Sequence, residues 1–186
     1  MENVTERAVA CPNSFLTAEA DTLFPWFAVR TRSNFEQLTA TVLRSKGLEE
    51  FLPVAMARRR WSDRVKTIET PLFPGYVFCR FDRSNRLPIL TVPGVVSVIG
   101  VGKEPMPIPD HEIEAIETVL RSGLHSQPWP YLPGGQRIRI EKGALTGLEG
   151  IVVNGKKNEW RLVVSVTLLQ RSVAVEIDRA WISAIR

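Results

Sequence analysis

The stretch "PLFPGYVFCRF", residues 71–81, is the most informative part of the chain about its fold, because it is almost entirely apolar. It contains three phenylalanines, a tyrosine and a cysteine, and its single charged residue is Arg80. Strands of soluble proteins usually alternate between apolar and polar residues, since one face packs on the core while the other meets water. After its Phe-Pro-Gly-Tyr corner this stretch does not alternate, so it predicts a strand with two apolar faces.

The two faces of this strand can be considered separately, because successive side chains point to opposite sides. Val77, Cys79 and Phe81 share one face, which we predict to lie in the protein core. Tyr76 and Phe78 share the other face, for which two interpretations stay open: it belongs to the core, or it contacts a partner. An exposed aromatic patch is costly in water unless it forms an interface, and aromatic residues are frequent interface anchors.

The flanking segments predict an α+β domain. "WFAVRTR", from Trp26, reads as a strand, and Ser33 with Glu36 three residues later forms a capping box that predicts a helix ending at Gly47. "FLPVAMARRRW" predicts a second strand, which forms a long hairpin with the stretch from Pro71. A short helical turn, a strand at "VVSVIGV" and a helix capped by Asp110 follow. The order β-α-β-β-α-β-α indicates an antiparallel sheet flanked by helices.

The C-terminal part reads as all-β. "LHSQPWPYLPGG" contains three prolines and two glycines, which is typical of a short, stiff domain linker. Short runs rich in valine and isoleucine follow it at close spacing and predict a small, closed, SH3-like barrel built of strands throughout. The predicted divisions are a disordered or loosely attached tail (1–22), an N-terminal domain (23–123), the linker (124–132) and the barrel (133–186).

The composition, with 44% apolar and 24% charged residues, is that of a soluble globular protein. No apolar run approaches the roughly 18 residues that a membrane-spanning helix needs, and the acidic N-terminus does not resemble a signal peptide. We therefore expect a cytoplasmic protein without membrane contact. Cys11 and Cys79 are too few for a disulfide framework or, beside only two histidines, for a structural zinc site. Both thiols are expected to be reduced, and no metal or cofactor is expected.

The positive charge is unevenly distributed. Residues 1–125 hold 15 Lys/Arg and 15 Asp/Glu, whereas residues 126–186 hold 9 and 5, which supplies the whole net charge of +4. Inside the neutral part, "RRRWSDRVK", residues 58–66, carries five positive charges around Asp63. This loop is either a solvated hairpin tip or a phosphate-binding loop, since attraction to phosphate needs only clustered positive charge.

A family resemblance emerges from several motifs in order. "RIEKGALTGLEGIV" resembles the KOW motif, in which Gly143, Gly147 and Gly150 allow tight turns between strands. Together with "WFAVRTRSNFE", "LFPGYVFCRF", "TVPGV" and the proline-bearing linker, it makes residues 26–186 resemble the NusG family of transcription elongation factors. The resemblance implies a NusG N-terminal domain followed by a KOW barrel.

The resemblance also implies a partner. In this family the N-terminal domain binds the clamp helices of bacterial RNA polymerase through an apolar face of its sheet, and keeps the enzyme elongating. The matching residues in this chain are Trp26, Phe73, Tyr76 and Phe78. A monomer is the family expectation.

A nucleic-acid contact is implied for basic residues near the same domain. In specialised members, basic residues at the end of the first strand and on the first helix touch the non-template DNA strand. Arg44 and Lys46 suit equally well as favourable charges in the last helical turn. The candidate residues for nucleic-acid binding are Arg32, Arg44, Lys46, Arg58, Arg59 and Arg60.

The hairpin "SVTLLQRSVAVEID" departs from the family pattern. General NusG proteins carry a Phe-Gly pair at its tip, which binds a ribosomal protein or a termination factor, whereas this chain has Leu169 and Gln170. This difference favours a specialised antiterminator that serves particular long operons over the housekeeping protein; drift at an exposed hairpin is the alternative. Leu168, Leu169 and Arg171 are the candidate residues for binding a KOW partner.

Two other functional classes compete with a transcription factor. An enzyme is disfavoured, because no nucleophile–histidine–acid order, metal-ligand cluster or phosphate-binding loop appears. A ribosome- or RNA-binding KOW protein would suit the basic C-terminal part but leaves the aromatic strand of the N-terminal part without a role. Salt dependence distinguishes an RNA-binding protein from one that binds a partner through an aromatic face, because binding to phosphate weakens steeply as salt rises.

Overall fold

The computed structural model describes residues 24–60, 65–132, 135–154 and 160–184, without side-chain detail at 57–60, 65, 66, 183 and 184. The predicted tail, Cys11 and the tip of the basic loop therefore lie outside the described residues. Three helices and fifteen strands are assigned within these ranges. In chain order they are β1 (Trp26–Thr31), α1 (Glu36–Ser45), β2 (Glu50–Phe51), β3 (Val54–Arg60), β4 (Val65–Pro71), β5 (Tyr76–Arg80), α2 (Leu87–Leu90), β6 (Val95–Val98), β7 (Gly100–Val101), β8 (Glu104–Pro105), β9 (Pro107–Ile108), α3 (Asp110–Arg121), β10 (Ser126–Pro130), β11 (Gln136–Ile140), β12 (Glu149–Asn154), β13 (Trp160–Val166), β14 (Arg171–Ile177) and β15 (Ile182–Ala184).

The N-terminal sheet has the order β2-β5-β1-β6, and β9 also pairs with β1. All its pairings are antiparallel, with Phe27 opposite Cys79 and Val29 opposite Val77 at the centre. The predicted hairpin around the basic loop is present, but its second strand is β4 and not the stretch from Pro71, since Val54 lies opposite Pro71 and Arg60 opposite Val65. Helices pack on the sheet as predicted, which confirms the α+β arrangement of the N-terminal part.

The stretch from Pro71 is not one continuous strand. Pro71 ends β4, residues 72–75 turn, and β5 begins only at Tyr76. Gly75 has a φ of +83°, a conformation that suits glycine because it has no Cβ. The apolar corner therefore redirects the chain from the hairpin into the sheet.

The two predicted helix caps are wrong in detail. Helix α1 is preceded by Phe35 in the N-cap position, without a side-chain cap, so Ser33 does not cap it. The Glu36 carboxylate accepts a hydrogen bond from the Gly75 N–H at 2.8 Å, so a tertiary contact takes the side chain that the capping box would need. Asp110 is the first residue of α3 rather than its cap, and it pairs with Arg80 at 2.8 Å.

The C-terminal sheet has six antiparallel strands in the order β10-β14-β13-β12-β11-β15. The four strands predicted after the linker are present as β11 to β14, and the predicted last turn contains β15. The described residues of this part include no α-helix. The sixth strand, β10, was not predicted: it lies inside the proline-rich linker and pairs with β14 over five residues. The linker is thus partly a strand of this sheet.

Two buried clusters organise the protein. One cluster lies between the N-terminal sheet and helices α1 and α2, and it includes Phe27, Val77, Cys79 and Phe81. This confirms the predicted core face of β5. The other cluster is continuous from the opposite face of the N-terminal sheet through α3 into the C-terminal sheet. None of the helices in the described ranges has both the length and the apolar character needed to cross a membrane.

Candidate protein-binding interface

An aromatic face is formed by β1, β2, β5 and the turn before β5; we define it as Trp26, Phe51, Phe73, Tyr76 and Phe78. The Phe73 and Phe78 rings meet edge-to-face with centroids 5.4 Å apart, and the Phe51 and Phe78 rings stack at 6.1 Å. Trp26 meets Phe51 edge-on at 6.4 Å. Strands β1 and β5 are neighbours, so residues distant in sequence converge on one side of the sheet.

Phe51 belongs to this face but was not among the predicted site residues. It lies directly opposite Phe78 in the register of β2 and β5. The available signal was its position at the start of "FLPVAMARRRW", but a two-residue strand is too short to show a periodicity. Its membership of the face is decided by strand pairing.

The aromatic face is covered in this conformation. Phe73 and Phe78 are 0% exposed, Trp26 is 3% exposed, and Phe51 and Tyr76 are half-buried. These side chains belong to the same continuous cluster as Leu162, Val164 and other residues of the C-terminal sheet. In this arrangement the aromatic face is therefore part of the protein core. The layer that covers it is the C-terminal sheet, so the face is also a contact surface between two parts of the chain.

Polar contacts join the covering sheet to the N-terminal part. The Thr167 N–H donates to the Glu112 carboxylate at 3.1 Å, linking the tip between β13 and β14 to helix α3. The Arg171 guanidinium lies 5.9 Å from the centre of the Tyr76 ring, within the range of a cation–π contact. Arg171 and Tyr76 were predicted to bind two different partners, and here they face each other.

The tip between β13 and β14 is a 3-10 turn at Thr167–Leu169. Leu168 and Leu169 are half-buried and pack against the continuous cluster, so they are used within the chain in this conformation. Gln170 follows with a φ of +48°, in the left-handed region. The position where the family motif has glycine thus keeps the backbone shape that glycine favours.

A cleft of about 770 Å³ lies between α3 and the C-terminal sheet. His111, Glu114 and Thr118 line it from the helix, and Arg137 and Glu149 line it from the sheet. The two layers therefore do not pack closely along this side.

Three of the predicted nucleic-acid residues have described side chains, and two of these bond within the chain. Arg32 is exposed at the end of β1. Arg44 donates to the Glu50 carboxylate, and the Lys46 ammonium donates to the Pro88 carbonyl at 2.7 Å. Both residues lie at the end of α1, and their side chains bond to groups of other segments.

The three arginines of the basic loop have a known backbone position only. Arg58, Arg59 and Arg60 lie at the end of β3, paired with Thr67, Lys66 and Val65 in that order. Their side chains lie outside the described residues. Their role in binding nucleic acid therefore stays a prediction.

Cys79 is a buried free thiol in the core. Burial raises its pKa to about 12, and the negative charges of Glu50 and Glu49 add to this effect. The thiol therefore stays protonated at neutral pH and is a poor nucleophile or metal ligand. Within the described residues, no group of three or more His, Cys, Asp or Glu side chains is arranged to hold a metal ion.

Comparison with known proteins identifies the family. The family model described as "Transcription termination factor nusG" matches residues 24–117. The Transcription termination/antitermination protein NusG of Escherichia coli (strain K12) is 30% identical over 173 residues, which cover 82% of this chain and 92% of that protein. This chain belongs to the NusG family. The NusG of Buchnera aphidicola (subsp. Acyrthosiphon pisum, strain APS) is 31% identical over 168 residues, with the same coverage of both chains.

A solved structure supports the same fold. The structure titled "Domain interaction in Thermotoga maritima NusG" matches with a TM-score of 0.53 and 19% identity, covering 87% of this chain and 97% of that one. The names of the family model and of the NusG relatives are those of transcription factors and not of enzymes. The chain therefore belongs to a family of transcription factors and not of enzymes.

Proposed function

We propose that this NusG-family protein is a transcription elongation and antitermination factor that binds the clamp helices of bacterial RNA polymerase through the aromatic face. The single observation that carries the proposal is the convergence of five aromatic side chains on one side of the N-terminal sheet. Large aromatic side chains with little conformational freedom are the usual anchors of protein interfaces. NusG-family proteins interact with RNA polymerase, which supplies the partner class; a cytoplasmic location follows from that partner.

The proposed interface requires a conformational change. Because the C-terminal sheet covers the aromatic face, the protein binds polymerase only after the two sheets separate. We infer that the C-terminal sheet is the KOW barrel of the family. Separation also frees Leu168, Leu169 and Arg171, which are the residues proposed to bind a second partner such as a ribosomal protein.

We assign the protein to the specialised antiterminator branch rather than to the housekeeping one. Its hairpin tip carries Leu169 and Gln170, and Leu169 packs within the chain. Non-template DNA is the proposed second ligand of the N-terminal domain. Arg32 and the three arginines of β3 suit this role better than Arg44 and Lys46, which have partners of their own within the chain.

The deciding experiment is binding to bacterial core RNA polymerase. Tyr76→Ala removes a half-buried ring of the aromatic face, and we expect it to weaken binding by about tenfold or more, the typical effect of an aromatic anchor. Phe35→Ala is the matched control: this aromatic residue precedes α1, on the other side of the sheet, and its ring contacts Gly94. The affinity of each variant is measured at low and moderate salt.

The outcomes separate the candidate functions. If Tyr76→Ala binds as well as the parent while both stay folded, the aromatic face is not the polymerase interface. A parent affinity that falls steeply with salt, together with binding to RNA, favours the RNA-binding KOW alternative. Binding of a termination factor by the C-terminal sheet favours the housekeeping alternative.

A further inference from the structure

The linker strand β10 is paired along its whole length with the edge of the C-terminal sheet. The register runs from Ser126 opposite Val175 to Pro130 opposite Arg171. The pairing extends one residue further, since the Glu176 N–H donates to the His125 carbonyl at 3.2 Å. The segment that connects the two sheets is therefore itself bonded to the second sheet.

The two prolines of β10 are placed where they do not disturb this pairing. Hydrogen-bonded and non-hydrogen-bonded pairs alternate along an antiparallel ladder. Because His125 and Glu176 are hydrogen-bonded, Gln127 and Trp129 occupy the next hydrogen-bonded positions. The prolines fall between them, where an N–H would face away from β14 and its absence costs no ladder bond. The linker can thus pair through one edge only, the edge that faces β14.

The side chains of β10 add to its attachment. The Arg161 guanidinium of β13 lies 5.3 Å from the centre of the Trp129 ring. Trp129 also lines a small cavity together with Leu72, which belongs to the turn before β5. The linker strand therefore lies at the junction of the two sheets.

While β10 is paired, the connection between the sheets is very short. Helix α3 ends at Arg121, and the Gly123 N–H still donates to the Leu120 carbonyl at 3.2 Å. Residues 122–124 connect this helix end to His125, and the four steps from Arg121 to His125 span at most about 13–14 Å when extended. The start of the paired β10 therefore stays close to the end of α3. While β10 is paired, the C-terminal sheet can only turn about this short connection; moving the sheet away as a whole requires β10 to leave β14.

The shared apolar cluster holds the two sheets together, and polar contacts add to it. An open cleft of about 770 Å³ lies beside this interface, between α3 and the C-terminal sheet. The Glu112–Thr167 hydrogen bond and the cation–π contact of Arg171 with Tyr76 each stabilise the closed arrangement only modestly. The linker pairing is thus an independent restraint on the closed arrangement.

We propose that Ser126–Pro130 is a latch: its pairing with β14 holds the C-terminal sheet over the aromatic face, and the face is uncovered when this strand is released. The latch itself does not depend on the proposed function. Its consequence does, since the apparent dissociation constant for a partner of the aromatic face equals the intrinsic constant divided by the open fraction. Releasing the latch then increases the apparent affinity for polymerase by the same factor as it increases the open fraction.

The test compares one substitution at neighbouring positions. Gln127→Pro removes an N–H that bonds to β14, whereas Ser126→Pro, the matched control, removes an N–H that faces away. Hydrogen exchange of the Ala174 and Ser172 amides reports the pairing of β10. Distances between spin labels at Leu87→Cys and Ala144→Cys, both exposed, report the separation of the sheets. The labelled protein carries Cys11→Ser, and Cys79 is buried and does not take the label.

We expect the parent and Ser126→Pro to give one narrow distance distribution. Gln127→Pro should speed exchange of the two β14 amides at least tenfold and increase the population at longer distances at least fivefold. Slow exchange at Val29 and Val163 checks that both sheets stay folded. Fast exchange of Ala174 and Ser172 with an unchanged distance distribution overturns the latch, and so does a parent that is already broadly distributed.

A second variant covers the case in which Gln127→Pro does not fold. Eight Gly and Ser residues inserted after Gly123 lengthen the connection without altering β10. We expect longer distances while the Ala174 amide stays protected; distances unchanged from the parent overturn the proposal. Both measurements use the protein alone, so their failure is distinct from a failure to bind polymerase.

Discussion

At the residue scale, Gln170 adopts a backbone conformation that glycine favours. Its φ of +48° lies in the left-handed region, where a Cβ meets the following carbonyl at a cost of roughly 1–2 kcal/mol. Glycine has no Cβ and adopts this conformation freely. The departure of the hairpin from the family motif was visible in the sequence, but the conformation at this residue was not.

Gln170→Gly should increase the free energy of unfolding by about 0.5–1 kcal/mol, because removing the Cβ strain outweighs the added freedom of the unfolded chain. The measurement is chemical denaturation of the two proteins under identical conditions. Thr167→Gly serves as the control in the same turn: its φ is not positive, so glycine there should lower stability. A loss of stability in Gln170→Gly contradicts this account.

At the element scale, a buried carboxylate fastens helix α1 to the turn before β5. Glu36 is 6% exposed and accepts the Gly75 N–H, so it holds the corner that positions Tyr76. The pattern Ser-x-x-Glu correctly located a helix start, since α1 begins at Glu36. It gave the wrong partner for Glu36, because a contact across 39 residues cannot be inferred from local spacing.

Glu36→Ala should lower the free energy of unfolding by about 1–3 kcal/mol, since it leaves the Gly75 N–H without its acceptor. Glu36→Gln keeps an acceptor oxygen and should lose clearly less. Gln37→Ala is the neighbouring control, because Gln37 is exposed and its bond to Glu69 is long, at 3.3 Å. Equal stability of Glu36→Ala and Gln37→Ala, measured by denaturant unfolding, would refute the role of Glu36.

At the scale of the whole molecule, the two sheets share one buried cluster. It includes Trp26 and Phe78 from the N-terminal sheet and Val164 and Val173 from the C-terminal sheet. Groups that are buried together lose their packing together, so unfolding of one sheet exposes the apolar surface of the other.

The parent protein should therefore unfold in a single calorimetric transition, with the calorimetric enthalpy equal to the van't Hoff enthalpy. Gln127→Pro should resolve into two transitions, because each sheet then unfolds without its cover. Ser126→Pro should retain the single transition of the parent. Two transitions in the parent would show that the shared cluster does not couple the sheets.

The sequence by itself determined the three helices, most of the longer strands, the core face of β5 and the membership of the NusG family. Periodicity and glycine positions are properties of neighbouring residues, so they can be recognised without the fold. An apolar pattern predicts that a side chain will be buried but not what buries it. Only the tertiary structure decided that the C-terminal sheet covers the aromatic face, that Phe51 joins this face and that the linker forms β10. Each of these depends on pairing between segments distant in sequence, which local pattern does not encode.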